Sequence, residues 1–203
     1  MENEETPIEE ATEESKTDGQ KPVDNIIVRH VLYAMTAGAI PVPFVDIAAV
    51  TAIQLDMIKQ LSDAYGQEFD KDLGKSFASS LAGATLGRLG ASAIKALPGV
   101  GTWIGITSQM AMAGASTYAL GHIFNSHFAN KGTIFNFDAD SVKKKYEEYL
   151  EKSKGLIENL KNEYKKEDQL ATIEKLHKLK ESGAISEEEF EQAKKSILDK
   201  IKS

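Results

Sequence analysis

The chain has 203 residues, 41% of them hydrophobic and only 7% aromatic, which allows one ordinary domain with appendages and a core packed by small side chains. Its formal charge of -7 resides in residues 1–24, where nine acids outweigh Lys16 and Lys21; the remainder balances 22 acids against 22 bases and leaves no basic face of the size nucleic-acid binding needs. It has 0 cysteines, which excludes disulfides, thiolate metal sites and cysteine nucleophiles.

Residues 1–23 are rich in Glu, Thr and Ser and poor in large apolar side chains. Such a segment cannot offset its ordering entropy by burial, so the composition predicts a disordered acidic tail. No basic region followed by an apolar one marks a secretory signal, and the default expectation is a cytosolic address for the tail and the C-terminal part.

An apolar helical-hairpin domain is expected over 24–137. Asp24 or Asn25 caps a first helix carrying Ile26, Ile27, Val31, Leu32 and Met35. Pro41 and Pro43, one residue apart, forbid a straight helix through Ile40–Asp46 and form a hairpin tip. Pro43 opens a second helix to about Ala64, with Val50, Ile53, Met57 and Leu61 on one face. A third helix is expected over about 72–96. Its Gly83, Gly87 and Ala91 make a flat stripe that lets two backbones approach closely. Pro98, Gly99 and Gly101 make a second hinge before a fourth helix at about 102–129, where Ala111, Ala115 and Ala119 repeat the stripe. From Ala96 to Asn130 no Asp, Glu, Lys or Arg occurs in 35 residues. Thr133 to Phe137 reads as a short strand or extended plug.

Residues 138–167 form a charged amphipathic helix. Val142, Tyr146, Tyr149, Leu156, Leu160 and Tyr164 make a seam for the hairpins or for a coiled coil. Residues 168–203 form a two-helix module. Leu170, Ile173, Leu176 and Leu179 line its first helix, and Gly183 stops it. Ser186 with Glu189 makes a capping box, and Ile185 with Phe190 a hydrophobic staple. Two such short helices bury little alone, so the module is expected to dock on something or to self-associate. The fold class is all-α: two apolar hairpins, a charged helix and a small two-helix module.

The motifs that carry chemistry are weak. Gly74-Lys75-Ser76 ends like a phosphate-binding loop, but Phe69 stands where the motif needs glycine and no apolar strand precedes it. Gly99-Val-Gly-Thr-Trp-Ile-Gly105 has the wrong last interval for a dinucleotide loop and reads as a hinge. His122 and His127 are five apart and do not share a helix face, while His30 and His177 stand alone in the sequence. No cofactor or metal follows. Asp46 is the ionisable residue that stands out. It is either a carboxylate favoured by a helix N-terminus or one partner of a buried ion pair with Arg88 or Lys95.

A spanning helix needs about 20 apolar residues. Ile26–Ile40 and Phe44–Leu55 are too short, and Val100–Phe124 is long enough but only weakly hydrophobic. The expectation is a compact bundle whose hairpins dock at a bilayer or insert marginally.

Val28 to about Ala129, with Ile40-Pro-Val-Pro-Phe-Val-Asp46 and Leu97-Pro-Gly-Val-Gly101, resembles the YcjF-like domain of unknown function. That resemblance implies membrane association and work beside Era-like or dynamin-like GTPases. This chain carries no GTPase motif of its own, so such a GTPase is a separate partner. No catalytic residues come with the resemblance. Residues 168–202 resemble the SHOCT module through Leu176, Leu179, Gly183, Ile185, Ser186, Glu188, Glu189, Phe190, Lys194 and Leu198. That resemblance implies oligomerisation or ligand binding, and both point to a bacterial source.

The leading reading is a non-enzymatic, membrane-associated adaptor at the cytoplasmic face of a bacterial inner membrane, working as a homo-oligomer beside a GTPase. The alternatives are a soluble cytoplasmic scaffold with the hairpins as its core, and a small-ligand binder or enzyme using Asp46, Arg88 and Lys95.

Overall fold

The computed structural model describes residues 8–40, 45–81, 105–163 and 166–202, and the side chains within 22–40, 47–81, 109–160 and 168–202. The helices are α1 (Ile8–Gly38), α2 (Val45–Ala64), α3 (71–81), α4 (Gly105–Ala129), α5 (Ala139–Glu163), α6 (Lys166–Glu181) and α7 (Glu187–Lys202). Among the described residues there is no strand, and the all-α class holds.

α1 begins at Ile8, ahead of the cap expected at Asp24 or Asn25, and runs through Pro22. The segment expected to be a disordered tail is therefore helical over 8–23. Glu, Ala, Lys and Gln are strong helix formers, and a helix already nucleated downstream extends through them more readily than a free tail orders itself.

α4 is the central helix, packed on α1, α2 and α5. The register follows from paired residues. Gly38 faces Gln109 and Ala113, and Gly121 faces Ile27, so α1 and α4 run antiparallel. Gln54 bonds Thr117 and Tyr65 bonds Asn125, so α2 and α4 run parallel. His122 stacks on Tyr149 and Lys145 bonds Ser126, so α5 returns antiparallel to α4. A Cβ on Gly38 would stand 2.6 Å from the Ala113 Cβ and 3.0 Å from the Gln109 carbonyl oxygen, so this crossing requires glycine.

The main core is built on Met35, Met57, Leu120, Phe124, Phe128 and Tyr146, all essentially inaccessible. Residues 133–137 are not a strand. Ile134–Asn136 form a 3-10 turn, closed by the Asn136 Oδ1 accepting the Thr133 N–H at 2.8 Å. The local side-chain acceptor satisfies the backbone better than an unpaired strand would. The turn still plugs the core: Ile134 is fully buried, and Phe137 stacks on Phe124 with ring centroids 4.4 Å apart.

The seam of α5 packs on α4, not in a coiled coil. Its fully buried positions are Tyr146, Ser153 and Ile157, while Leu156 is only half-buried. Burial holds the Tyr146 hydroxyl above its ordinary pKa.

Candidate functional site: the seat of the C-terminal module

α6 and α7 form a tight pair because local chemistry ends one helix and starts the next. Gly183 takes φ +70° after α6, and the Ala184 and Gly183 N–H groups donate to the carbonyls of Leu179 and Lys180, at 2.8 and 2.9 Å. This is a Schellman ending, and the left-handed conformation favours glycine. α7 then starts on the reciprocal box. The Glu189 N–H donates to Ser186 Oγ at 3.2 Å, and the Ser186 N–H donates to Glu189 Oε2 at 2.7 Å. Ile185 and Phe190 are both buried beside that start.

The pair seats on the α1–α2 hairpin, α6 on both helices and α7 on α2. The two sides of this second core differ. The hairpin supplies mainly small side chains: Ala34, Ala37, Ala49 and Ala52, with Ile40 and Ile53. The module supplies the bulk: Leu176, Leu179, Ile185, Phe190 and Ile197. An alanine wall lets α6 and α7 come close, while the larger module side chains carry most of the apolar area removed from water.

Polar contacts set the register at two points. Asp56 on α2 gathers three helices. Its Oδ2 accepts from His30 Nε2 at 2.7 Å, from Gln60 Nε2 at 2.7 Å and from Lys175 Nζ on α6. His30 is 1% exposed, and its Nδ1 lies 2.7 Å from the Ile26 carbonyl oxygen. Both ring nitrogens thus face oxygen atoms. Burial alone would raise the Asp56 pKa; the hydrogen bonds from His30 and Lys175 and their positive charges outweigh it and bring the carboxyl down to about 2. At the second point, Lys200 of α7 donates to the Ala39 carbonyl at the C-terminal end of α1, where an orphan acceptor and the helix dipole both favour a cation. Partial burial lowers the Lys200 pKa.

The sequence-derived candidates fall on several sides of this site. Leu176, Leu179, Gly183, Ile185, Ser186, Glu189 and Phe190 all build the module and its seat. Of the alanine stripe, Ala119 is fully buried in the main core, whereas Ala111 and Ala115 are half-buried between α2 and α5. The hinge residues Pro41, Pro43, Pro98, Gly99 and Gly101, the glycine stripe Gly83, Gly87 and Ala91, and the charged side chains Asp46, Arg88 and Lys95 lie outside the described residues. His30 is not solitary. Its partner Asp56 is 26 residues away, and Lys175 is 119 residues from Asp56. The hint in the sequence is slight: Asp56 and Gln60 stand one turn apart on α2.

Among the described residues no three His, Asp or Glu side chains converge to hold a metal. Nor is any helix there long and apolar enough to cross a membrane. The arrangement is that of a closure: it joins the module to the hairpin through a wall of alanines and a fixed set of charges.

The C-terminal unit matches the model of the Short C-terminal domain, SHOCT, over residues 171–198. The chain is also similar to magnetosome membrane protein 22 of Magnetospirillum gryphiswaldense. The two are 43% identical over 143 residues, covering 68% of this chain and 73% of that protein. No solved structure matches. Residues 6–155, spanning α1 to most of α5, match the model of the domain of unknown function DUF697, and the chain belongs to that family.

Proposed function

We propose that the chain is a non-enzymatic, membrane-associated helical adaptor whose C-terminal module is a displaceable cover on the α1–α2 hairpin. The observation that carries this reading is the seat itself. The module lies on the hairpin arms whose sequence is most suited to apolar contact, and it is held there by small side chains and a few charges. The relative's printed description as a membrane protein supports the membrane side of the reading. The YcjF-like resemblance supports a separate GTPase as partner and the cytoplasmic face of a bacterial inner membrane as the place. The module, once displaced, is free to recruit that partner or to pair with a second copy.

Flotation with anionic liposomes, followed by a carbonate or high-salt wash, tests this. The full chain should float weakly, and a Lys175→Glu, Ala193→Asp variant, which unseats the module, should float more strongly and survive the wash. Equal and negligible flotation of both would bring forward a second reading, a scaffold with the hairpins as its core. That reading is favoured by the burial of the hairpin arms within the chain itself. Light scattering on the same two proteins reads oligomerisation directly: a larger mass per particle in the unseated variant is the expected result.

A further inference from the structure

α2 and α5 both pack on α4 but scarcely touch each other. They leave a slot of about 720 Å³ over the outer face of α4. Small-molecule sites span roughly 300–1,000 Å³ and are mostly apolar, and this one fits that description. Its floor is Ala111, Met112 and Ala115, and its walls are Ile47 and Val50 on one side and Ile157 on the other. Ile47 and Met112, 64% and 41% exposed, are two of the few large apolar side chains that face solvent among the described residues.

Three of the polar side chains lining the slot, Gln54, Ser116 and Ser153, are partnered within the protein. Gln54 Nε2 donates to Ser116 Oγ at 3.2 Å, Ser116 Oγ to the Ala113 carbonyl at 3.1 Å, and Ser153 Oγ to the Leu150 carbonyl at 2.7 Å. The rest of the interior is mainly apolar and suits an apolar occupant. The rim is different. On α5, Glu151, Lys154 and Glu158 line one edge, with the Lys154 ammonium 2.5 Å from Glu151 and both side chains about 70% exposed. One cation between two carboxylates complements a headgroup carrying both a phosphate and an ammonium. A purely anionic head would meet two like charges for one opposite one.

From these features we infer that the slot holds one acyl chain of a lipid with a zwitterionic headgroup, the phosphate on Lys154 and the ammonium on Glu158. The alanines of α4, too small to fill the space between α2 and α5, make the channel. This inference rests on the membrane reading above and names the lipid contact within it: a chain drawn from the bilayer holds the protein there, with no spanning helix needed among the described residues.

The test uses the full chain and two single-chain probes with the same tail, myristoyl lysophosphatidylcholine and myristate, each below its micellar concentration. Calorimetric titration with the Met112 methyl NMR signal as reporter should show one lysophosphatidylcholine per chain and weaker binding of myristate. Ala115→Leu fills the floor and Met112→Glu charges it; each should weaken lysophosphatidylcholine binding by roughly tenfold or more while the helical circular dichroism stays unchanged. Lys154→Glu should weaken it less, through the head alone. Myristate binding as tightly as the lysolipid overturns the headgroup assignment. Unchanged affinity in both floor variants overturns the slot. A doubled particle mass with the Met112 methyl shielded in protein alone assigns the slot to a second copy instead. Flotation run in parallel separates the two readings. Lysolipid binding without flotation counts against the membrane role, and flotation without lysolipid binding counts against the slot.

Discussion

The two cores of this protein are built differently. In the main core, large side chains come from several helices, and Phe124, Phe128, Leu120, Met35 and Met57 interlock around α4. In the seat of the module, bulk comes mainly from α6 and α7, the hairpin offers mostly alanines, and charged groups at Asp56 and Ala39 fix the register. A core of the first kind is costly to open because every departing side chain leaves a large void. A core of the second kind has a smooth wall on one side and parts with less loss. The difference is the one that the proposed displaceable cover requires.

The sharpest way to break this comparison is to empty each core in turn. Phe124→Ala, at a fully buried position stacked on Phe137, should destabilise the whole chain by about 3–5 kcal/mol in denaturant unfolding. If α6 and α7 melt no earlier than α4 in that variant, the cores are one cooperative unit and the contrast fails.

Acid should act on the seat before the main core. The fold holds the Asp56 carboxyl at about 2, below its ordinary value of 3.8, so the unfolded chain binds the proton more readily. The stabilisation is present above about pH 4 and disappears as the pH falls through about 2, and its size is about 2 kcal/mol. Asp56→Asn should flatten that part of the stability–pH curve. An unchanged acid limb in the variant would remove Asp56 from the account.

Lys175→Met keeps the stem and deletes the charge. Loss of its bond to a carboxylate should cost the seat about 1.5 kcal/mol, read as faster amide exchange in α6 and α7 with α4 unchanged. Smallest is the cap inside the module. Ser186→Ala removes the acceptor for the Glu189 N–H and should cost about 1 kcal/mol, confined to the first turn of α7. Uniform loss of protection across all helices in either variant would mean that the module is not separable from the body.

Much of this was legible along the chain because helix ends are local events. The Schellman glycine at 183, the box at Ser186 and Glu189, and the apolar spacing of α2 follow from a few adjacent residues. The start of α1 was not. Composition argued for a disordered tail, and the helix extends to Ile8 because propagation from an existing helix asks less of a sequence than nucleation does. The turn at Ile134–Asn136 was read as extended, because its deciding contact is an Asn side chain bonding three residues back.

The candidate site divides the same way. The periodicity of α6 and α7 marked the residues that would be buried, but not their partner: an apolar stripe has the same spacing whether it faces its own chain, another copy or a lipid. Folding alone chose the α1–α2 arms. It also brought His30, Asp56 and Lys175 to one point from sequence separations of 26 and 119 residues. No local pattern carries such information, since a carboxylate in a helix looks the same in sequence whether it meets water or two side-chain partners. The slot over α4 is of this kind too. Alanines at 111 and 115 read as a surface for another helix, and only the spacing between α2 and α5 left them open.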